Sequence, residues 1–173
     1  MGPLSAQVEG VLFFSQVSLF WNSITITRSC LYLYATMGRI MGIDFGLKRT
    51  GISVTDPNQI IVQGLETQET ATVLDFIISY ASREPLDEIV VGYPFVEGAW
   101  GDKRFKEKLD GFITNLKKTF ISIPVSLHDE RNTSVHAREI ISQSGFKKSK
   151  REDKRLLDKT SAILILQEYL GHI

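Results

Sequence analysis

The segment IMGIDFGLKRTGISVTD, residues 40–56, most constrains the fold, because it places one carboxylate, Asp44, inside an apolar run. The run before Gly46 has the pattern of a buried strand, and the residues from Gly51 onward have that of the strand that returns from it. Burying an unpaired ionised carboxylate costs several kcal/mol, so such a group is neutralised, paired or bound to a metal. The sequence therefore predicts a strand pair in which Asp44 needs a partner.

The remaining elements follow in an order that indicates a fold class. The predicted elements are strands at about 39–45, about 50–55, within 60–68, within 87–94 and within 121–131, and helices within 69–84, at about 102–118, from Asn132 or Thr133 to before Gly145, and at about 155–170. Three consecutive strands followed by alternating helices and strands predict an α/β protein with a five-stranded mixed sheet, antiparallel at first and parallel later. This order, β-β-β-α-β-α-β-α, is that of the ribonuclease H-like fold.

Length and composition narrow the function classes. The 173 residues suffice for one domain with a substantial core. The formal net charge is zero, so a nucleic-acid partner has to be argued from local charge. Cys30 is the only cysteine, which excludes an intrachain disulfide and a cysteine-based metal site and favours a reducing compartment.

The first 36 residues differ from the rest of the chain, because they are largely apolar and carry only two charges, Glu9 and Arg28. A secretory signal needs its basic residues before the apolar run, whereas Arg28 follows it. A membrane span is interrupted less often by polar residues than this segment is. We therefore expect residues 1–36 to be a non-native or unstructured N-terminal extension, and residues 37–173 to be the ribonuclease H-like domain, with Met37 as its natural start.

Acidic residues on two predicted strands are candidates for one site. Asp44 shares its strand face with small neighbours, Gly42 and Gly46. Asp129 and Glu130 end the fifth predicted strand. If the apolar faces of the first and fifth strands lie on the same side of the sheet, Glu130 points the same way as Asp44. This argument favours Glu130 as the partner of Asp44 and leaves Asp129 open.

Asp158, near the start of the last helix, completes the candidate set. Taken singly, each acid has another explanation. An acid in the first turn of a helix is stabilised by the helix dipole by about 0.3–1 kcal/mol, which could account for Asp158. Asp129 could form an ion pair with Arg131. Taken together, acids on elements that this fold brings side by side predict a hard-cation site for Mg²⁺ or Mn²⁺. We predict that Asp44, Glu130 and Asp158 are metal ligands. The predicted catalytic residues are the same three together with Asp129. Two such ions would stabilise the attacking and leaving oxygens of an in-line displacement at phosphorus.

His128 is the alternative catalyst. A histidine that alternates with buried strand residues is more often a hydrogen-bonded structural residue than a base, and this interpretation is preferred. His136 and His172 have no metal-ligand spacing.

Basic residues cluster next to the candidate acids. One pair follows the first strand, and the run KKSKREDKR, residues 147–155, precedes the helix that carries Asp158. The residues predicted to contact nucleic acid are Lys48, Arg49, Arg104, Arg131, Lys147, Lys148, Lys150 and Arg151. Contacts to the phosphate backbone carry no sequence code, so any specificity would come from the shape or the ends of the nucleic acid.

These motifs resemble the YqgF family, also called RuvX, of pre-16S ribosomal RNA nucleases and Holliday junction resolvase-like proteins. The similarity runs from about Arg39 to Leu170 and includes GIDFGLKRTGISVTD, IVVGYP, HDERNTSVHA and KKSKREDKRLLDKTSAILILQEYL. The resemblance implies that Asp44 and Asp158 stand at the first and last acidic positions of the family. It also implies a cytoplasmic, metal-dependent nuclease that trims the 5′ end of precursor 16S rRNA, with junction cleavage as the weaker alternative.

Two functions of other classes remain open at this point. An ATP-binding phosphotransferase of the actin and sugar-kinase type would need a second, similar domain, for which residues 37–173 leave no space. A non-catalytic nucleic-acid-binding or ribosome-assembly factor would need no metal. The expected partner is structured nucleic acid, precursor rRNA rather than a DNA junction, within the small-subunit precursor; no membrane is expected, and the protein is either a monomer or a homodimer.

Overall fold

Six strands and five helices form the described part of the chain, which in this computed structural model comprises residues 38–95, 103–129 and 133–173. The strands are β1 Arg39–Asp44, β2 Arg49–Thr55, β3 Val62–Gly64, β4 Gln68–Glu69, β5 Leu86–Tyr93 and β6 Val125–Asp129, and the helices are α1 Val73–Ala81, α2 Lys103–Thr119, α3 Thr133–Gln143, α4 Lys148–Arg151 and α5 Lys154–Tyr169. The predicted N-terminal extension, residues 1–36, lies outside the described residues, so it stays a prediction.

The sheet has the predicted mixed topology. Its strand order is β3-β2-β1-β5-β6, with β1–β2 and β2–β3 antiparallel and β1–β5 and β5–β6 parallel. The third predicted strand is divided into β3 and the two-residue β4, which also pairs with β2. Between them, the Thr67 hydroxyl donates a 2.9 Å hydrogen bond to the carbonyl oxygen of Arg155 in α5. The chain leaves the ladder there because it meets the final helix.

Helices cover the two faces of the sheet. Met41 and Ile43 of β1 pack with α1 and α2 in a cluster whose central side chains are fully buried. On the other face, Ile40 packs against Ile165 and Leu166 of α5. Since side chains alternate along a strand, Asp44 lies on the same face as Ile40, beneath α5. The predicted face of Asp44 therefore agrees with the packing.

The backbone of α5 lies very close to the backbone of β1 and β2. A Cβ atom on Gly51 would collide with the carbonyl oxygen of Asp158, and one on Gly42 would approach the Leu166 Cβ atom to 3.0 Å. The buried Ser53 hydroxyl donates a 2.7 Å hydrogen bond to the carbonyl oxygen of Ala162, one turn after Asp158. These contacts fix the height and register of α5 above β1 and β2.

We expect Gly51→Ala to lower the free energy of unfolding by about 1–3 kcal/mol, because the added methyl group overpacks the contact between β2 and α5. Thermal unfolding measures this change. Gly111→Ala is the matched control: Gly111 lies exposed in α2, and a methyl group added there would have no neighbouring atom within 4 Å. The control should raise stability by about 0.5–1 kcal/mol, since alanine is the better helix residue. Equal destabilisation by both substitutions would contradict the close approach.

The last helix begins slightly earlier than predicted. Asp153 is its N-cap and accepts a 2.9 Å hydrogen bond from the backbone N–H of Arg155. Asp158 therefore lies in the second turn of α5. Because the favourable effect of a helix N-terminus falls off within the first turn, the helix dipole is a poor explanation for Asp158.

The fifth predicted strand is shorter than expected. It begins at Val125, after Pro124, and Ile121 is 89% exposed instead of continuing the buried face. Among the residues that the structure describes, no helix is long and apolar enough to cross a membrane.

Candidate active site

Asp44 lies at the end of β1, where the parallel strands also end. In the register of the sheet, Ile43 pairs with Val91, and Tyr93 at the end of β5 pairs with Asp129. Ligand sites in α/β sheets commonly form outside the carboxyl ends of parallel strands. The fold thus brings two of the predicted acids, Asp44 and Asp129, to the same edge of the sheet.

Asp158 reaches this edge from α5. Its backbone lies directly over Gly51, and Gly51 is the residue that pairs with Asp44 across the β1–β2 ladder. The absence of a side chain on Gly51 is what allows this approach. Asp44 and Asp158, which are far apart in sequence, become neighbours through one glycine.

The surroundings of Asp44 raise its pKa. Burial raises the pKa of Asp44 from its ordinary value of 3.8 to about 7, with a second contribution from the negative charge of Asp158. A hydrogen bond with the Ser161 side chain lowers the pKa by a smaller amount. Without a bound cation, Asp44 therefore takes up a proton near neutral pH. A shielded carboxyl group next to a second one favours either a proton or a metal ion.

Arg49 neutralises the second member of the pair. Its Nε atom donates a 2.9 Å hydrogen bond to Oδ2 of Asp158, and the two side chains are 32% and 23% exposed. Partial shielding from water makes this ion pair stronger than one on an open surface. The first residue of β2 thus places a cation at the acidic pair, and Lys48, just before it in the turn, has an exposed side chain.

The other predicted acids have different positions. Val125 and Leu127 of β6 pack in the same cluster as Ile43, so the condition under which Glu130 would point toward Asp44 is met. Glu130 itself lies outside the described residues. Strand alternation assigns Asp129 to the opposite face from Asp44. Within residues 38–95, 103–129 and 133–173, no group of three or more acidic, histidine or cysteine side chains forms a metal cluster, so a third ligand stays a prediction.

His128 connects the sheet to α5. Its Nε2 atom lies 3.3 Å from Oε2 of Glu168, and its ring stands edge-on to Tyr169 with 6.0 Å between centroids. The Tyr169 hydroxyl in turn donates a 2.7 Å hydrogen bond to Glu88 of β5. These contacts support the structural interpretation of His128 over a catalytic one.

The predicted basic residues fall into separate groups. Lys48 and Arg49 line a cleft of about 510 Å³ together with Arg155. Lys147, Lys148 and Arg151 are exposed in or beside α4, and Lys150 belongs to the same helix. Arg104 lies in the first turn of α2, on the other side of the sheet from α5. Arg131 lies outside the described residues. The cleft next to Asp158 is therefore lined by residues at the turn after β1 and at the start of α5.

Ser53 and Ser161 shape the site but were not singled out in the sequence, and Gly51 was noted only as part of the opening motif. Gly51 admits the backbone of Asp158, Ser53 anchors α5, and Ser161 contacts Asp44. Ser161 had a readable signal, since it lies one turn after Asp158 on the same helix face. No sequence pattern indicates the contacts of Gly51 and Ser53, because both depend on packing between elements about a hundred residues apart.

Comparison with known proteins identifies the class of fold first. The structure of T. thermophilus RuvC in complex with a Holliday junction substrate matches with a TM-score of 0.50 at 12% sequence identity, covering 78% of this chain and 96% of that chain. The predicted ribonuclease H-like fold is confirmed.

The family follows from sequence. A profile of the family described as "RuvX: Holliday junction resolvase" matches residues 38–172. A protein of Parabacteroides distasonis is 46% identical over 134 residues, covering 78% of this chain and 95% of the relative, and one of Porphyromonas gingivalis is 46% identical over 136 residues, covering 79% and 98%. Both carry the name "Putative pre-16S rRNA nuclease". The chain belongs to the RuvX family, and the predicted resemblance is confirmed.

Proposed function

We propose that this protein is a metal-dependent nuclease that hydrolyses a phosphodiester bond near the 5′ end of precursor 16S rRNA, in the cytoplasm, during ribosome biogenesis. One observation carries the chemical part of the proposal: Asp44, with its pKa raised to about 7, lies beside Asp158 at the carboxyl edge of a ribonuclease H-like sheet. The names of the two relatives supply the substrate.

The donor set fits a hard divalent cation. Asp44 and Asp158 provide carboxylate oxygens, which Mg²⁺ and Mn²⁺ prefer, and Asp44 lies where its negative charge is costly without a counter-ion. Glu130 is the third ligand expected from the sequence. A divalent ion held there would stabilise charge on the phosphate and lower the pKa of a bound water molecule.

Basic side chains around this pair would bind and orient the substrate. Lys48, Arg49 and Arg155 line the cleft next to Asp158. The planar guanidinium of arginine can donate two hydrogen bonds to two oxygens of one phosphate, and contacts with several successive phosphates hold a strand in register without reading its bases. Arg49 donates a hydrogen bond to Asp158. Asp158 would hold the ion together with Asp44, and the Arg49 guanidinium beside it is placed to donate to a substrate phosphate.

We expect Arg49→Ala to weaken binding of nucleic acid. The slope of log affinity against log salt concentration should become shallower by the amount that one phosphate contact contributes, about one. The same substitution should strengthen Mn²⁺ binding, because it removes a cation that competes for Asp158. Fluorescence anisotropy at several salt concentrations and calorimetry with Mn²⁺ measure the two effects. Arg83→Ala, at an exposed arginine after α1, is the matched control. An unchanged salt slope in Arg49→Ala would contradict the role proposed for Arg49.

A second candidate function is cleavage of Holliday junctions, which the description of the matched family favours. The deciding experiment incubates the purified protein with precursor 16S RNA and with a four-way DNA junction, each with Mg²⁺ or Mn²⁺. We expect cleavage of the RNA near its 5′ end and little cleavage of the junction. Symmetric cuts in the junction with intact RNA would instead establish the second function. Binding without cleavage of either substrate would indicate a non-catalytic assembly factor.

A further inference from the structure

A cavity of about 450 Å³ lies where α3, α4 and the beginning of α5 meet. Its apolar part includes Ile141, which is buried, and Leu157, which is half-buried. Its basic part comprises Arg138, Lys148, Arg151 and Lys154. Pockets that bind small organic groups commonly enclose about 300–1,000 Å³ and combine an apolar lining with a few polar groups.

Acidic residues at the cavity do not cancel its positive charge. The Asp153 carboxylate is engaged as the N-cap of α5. Glu152 lies 3.9 Å from Lys148, and the two side chains are 67% and 84% exposed, so this pair is weak. Arg151 donates a 3.3 Å hydrogen bond to the carbonyl oxygen of Ser142, which holds one guanidinium at the cavity edge. The cavity therefore suits an anion that also has an apolar part.

A nucleotide has both properties. Its base is planar and can pack against aliphatic side chains, while its phosphate accepts hydrogen bonds from guanidinium and ammonium groups. A base in a duplex is stacked and paired, so it cannot enter such a cavity. Proteins that contact RNA bases generally do so where the bases are unpaired and unstacked. The cavity thus fits a nucleotide in a single-stranded segment.

The position of the cavity links it to the candidate active site. Leu157 lines the cavity, and the next residue is Asp158. Lys154 also lines the cavity, and the next residue, Arg155, lines the cleft that contains Arg49. The first turns of α5 therefore separate the two spaces. A strand that crosses these turns can place one nucleotide in the cavity and a phosphodiester bond at the acidic pair.

We propose that this cavity binds one unpaired nucleotide of the strand to be cut, with its base against Ile141 and Leu157 and its phosphate against the basic side chains. The proposal rests on the proposed nuclease function and adds the form of the substrate. The protein selects a single-stranded segment, such as the end of a precursor RNA, because only an unpaired nucleotide can fill the cavity.

Ser142→Trp tests the proposal by filling the cavity without changing its charge. Ser142 is exposed on α3 and lines the cavity, so a larger side chain there should not disturb the core. Ser79→Trp, at an exposed serine of α1 on the other side of the sheet, is the matched control. Thermal unfolding of both variants checks that the fold is retained. Binding is measured by fluorescence anisotropy, without divalent metal, on a single-stranded RNA and on the duplex of the same sequence.

We expect Ser142→Trp to weaken single-strand binding by at least about tenfold, equivalent to about 1.4 kcal/mol, because the indole ring occupies the space proposed for the base. Duplex binding should stay within about twofold, because phosphate contacts are retained. Equal single-strand affinities for Ser142→Trp, Ser79→Trp and the wild type would overturn the proposal. Adenosine monophosphate that binds as tightly as the strand would overturn the assignment to a strand.

A parallel cleavage assay separates this proposal from the proposed function. If the wild type cleaves RNA and Ser142→Trp binds single strands normally, the proposed nuclease function stands and the proposed nucleotide site is wrong. If the wild type cleaves no substrate and Ser142→Trp loses single-strand binding, the proposed nucleotide site stands and the proposed nuclease function is wrong.

Discussion

Replacing Asp44 with asparagine should reduce cleavage of precursor RNA by at least about a thousandfold, because a ligand of the catalytic cation supplies several kcal/mol of transition-state stabilisation. Asparagine has nearly the same size and shape, so the strand pairing of β1 should be retained. Cleavage is measured under single-turnover conditions with Mg²⁺ or Mn²⁺. Binding of the same RNA should remain close to that of the wild type, since the basic residues of the cleft are unchanged.

The matched control for this substitution is Asp75→Asn. Asp75 is an exposed acid in the first turn of α1, on the opposite face of the sheet from α5. Its replacement removes the same charge without touching the acidic pair, so cleavage should stay within about twofold of the wild type, as for an ordinary surface change. Retained turnover by purified Asp44→Asn protein would refute the assignment of Asp44.

The raised pKa of Asp44 gives the second large expected effect, on stability without metal. In the unfolded chain this carboxyl ionises near its ordinary pKa of 3.8, whereas in the folded protein its pKa is about 7. Between these values the folded state holds one more proton than the unfolded state, so stability falls as the pH rises from about 4 to about 7. Above pH 7 this contribution is lost and the decline ends.

Asp44→Asn removes this pH dependence. At pH 8 the metal-free variant should unfold several degrees above the wild type, because it no longer buries a negative charge beside Asp158. Near pH 4 the two proteins should have similar unfolding temperatures, since wild-type Asp44 is then protonated. Adding Mn²⁺ at pH 8 should raise the wild-type unfolding temperature and leave the variant nearly unchanged. A constant difference between the two proteins from pH 4 to pH 8 would contradict the proposed burial of the charge.

The sequence predicted the elements of the fold well, because the signals for them are local. The apolar run before Gly46 predicted β1, and the apolar spacing from Val73 to Ala81 predicted α1. The face of Asp44 followed from strand alternation alone. The errors are few: β6 begins after Pro124, the third predicted strand is interrupted where Thr67 turns to contact α5, and the short helix α4 in the basic run was not predicted.

The candidate site was predictable only in part. Alternation and the order of elements predicted that Asp44 and Asp158 lie near each other, and the register of β1 with β2 and the position of α5 agree with this. The ion pair between Arg49 and Asp158 joins residues 109 positions apart. Such a contact depends on the height of a helix above a sheet, which Gly51 and Ser53 determine through packing. The cavity beside α5 likewise depends on three helices meeting, which no local pattern indicates.

The acidic pair also explains why the turn after β1 is basic. Burying Asp44 beside Asp158 is unfavourable unless a proton, a cation or a basic side chain offsets their charge. Arg49 contacts Asp158, and the raised pKa of Asp44 favours its neutral form below about pH 7. This arrangement offsets part of the negative charge of the acidic pair. The same residues are then in place for the substrate.

Calorimetric titration with Mn²⁺ tests the central claim, that Asp44 and Asp158 together hold a divalent cation. The titration compares the wild type with Asp44→Asn, Asp158→Asn and the control Asp75→Asn at pH 8. Wild type and control should bind Mn²⁺ with equal affinity, and each of the other two variants at least about a hundredfold more weakly, as loss of a direct ligand implies. Unchanged Mn²⁺ affinity in Asp44→Asn and Asp158→Asn would contradict the claim.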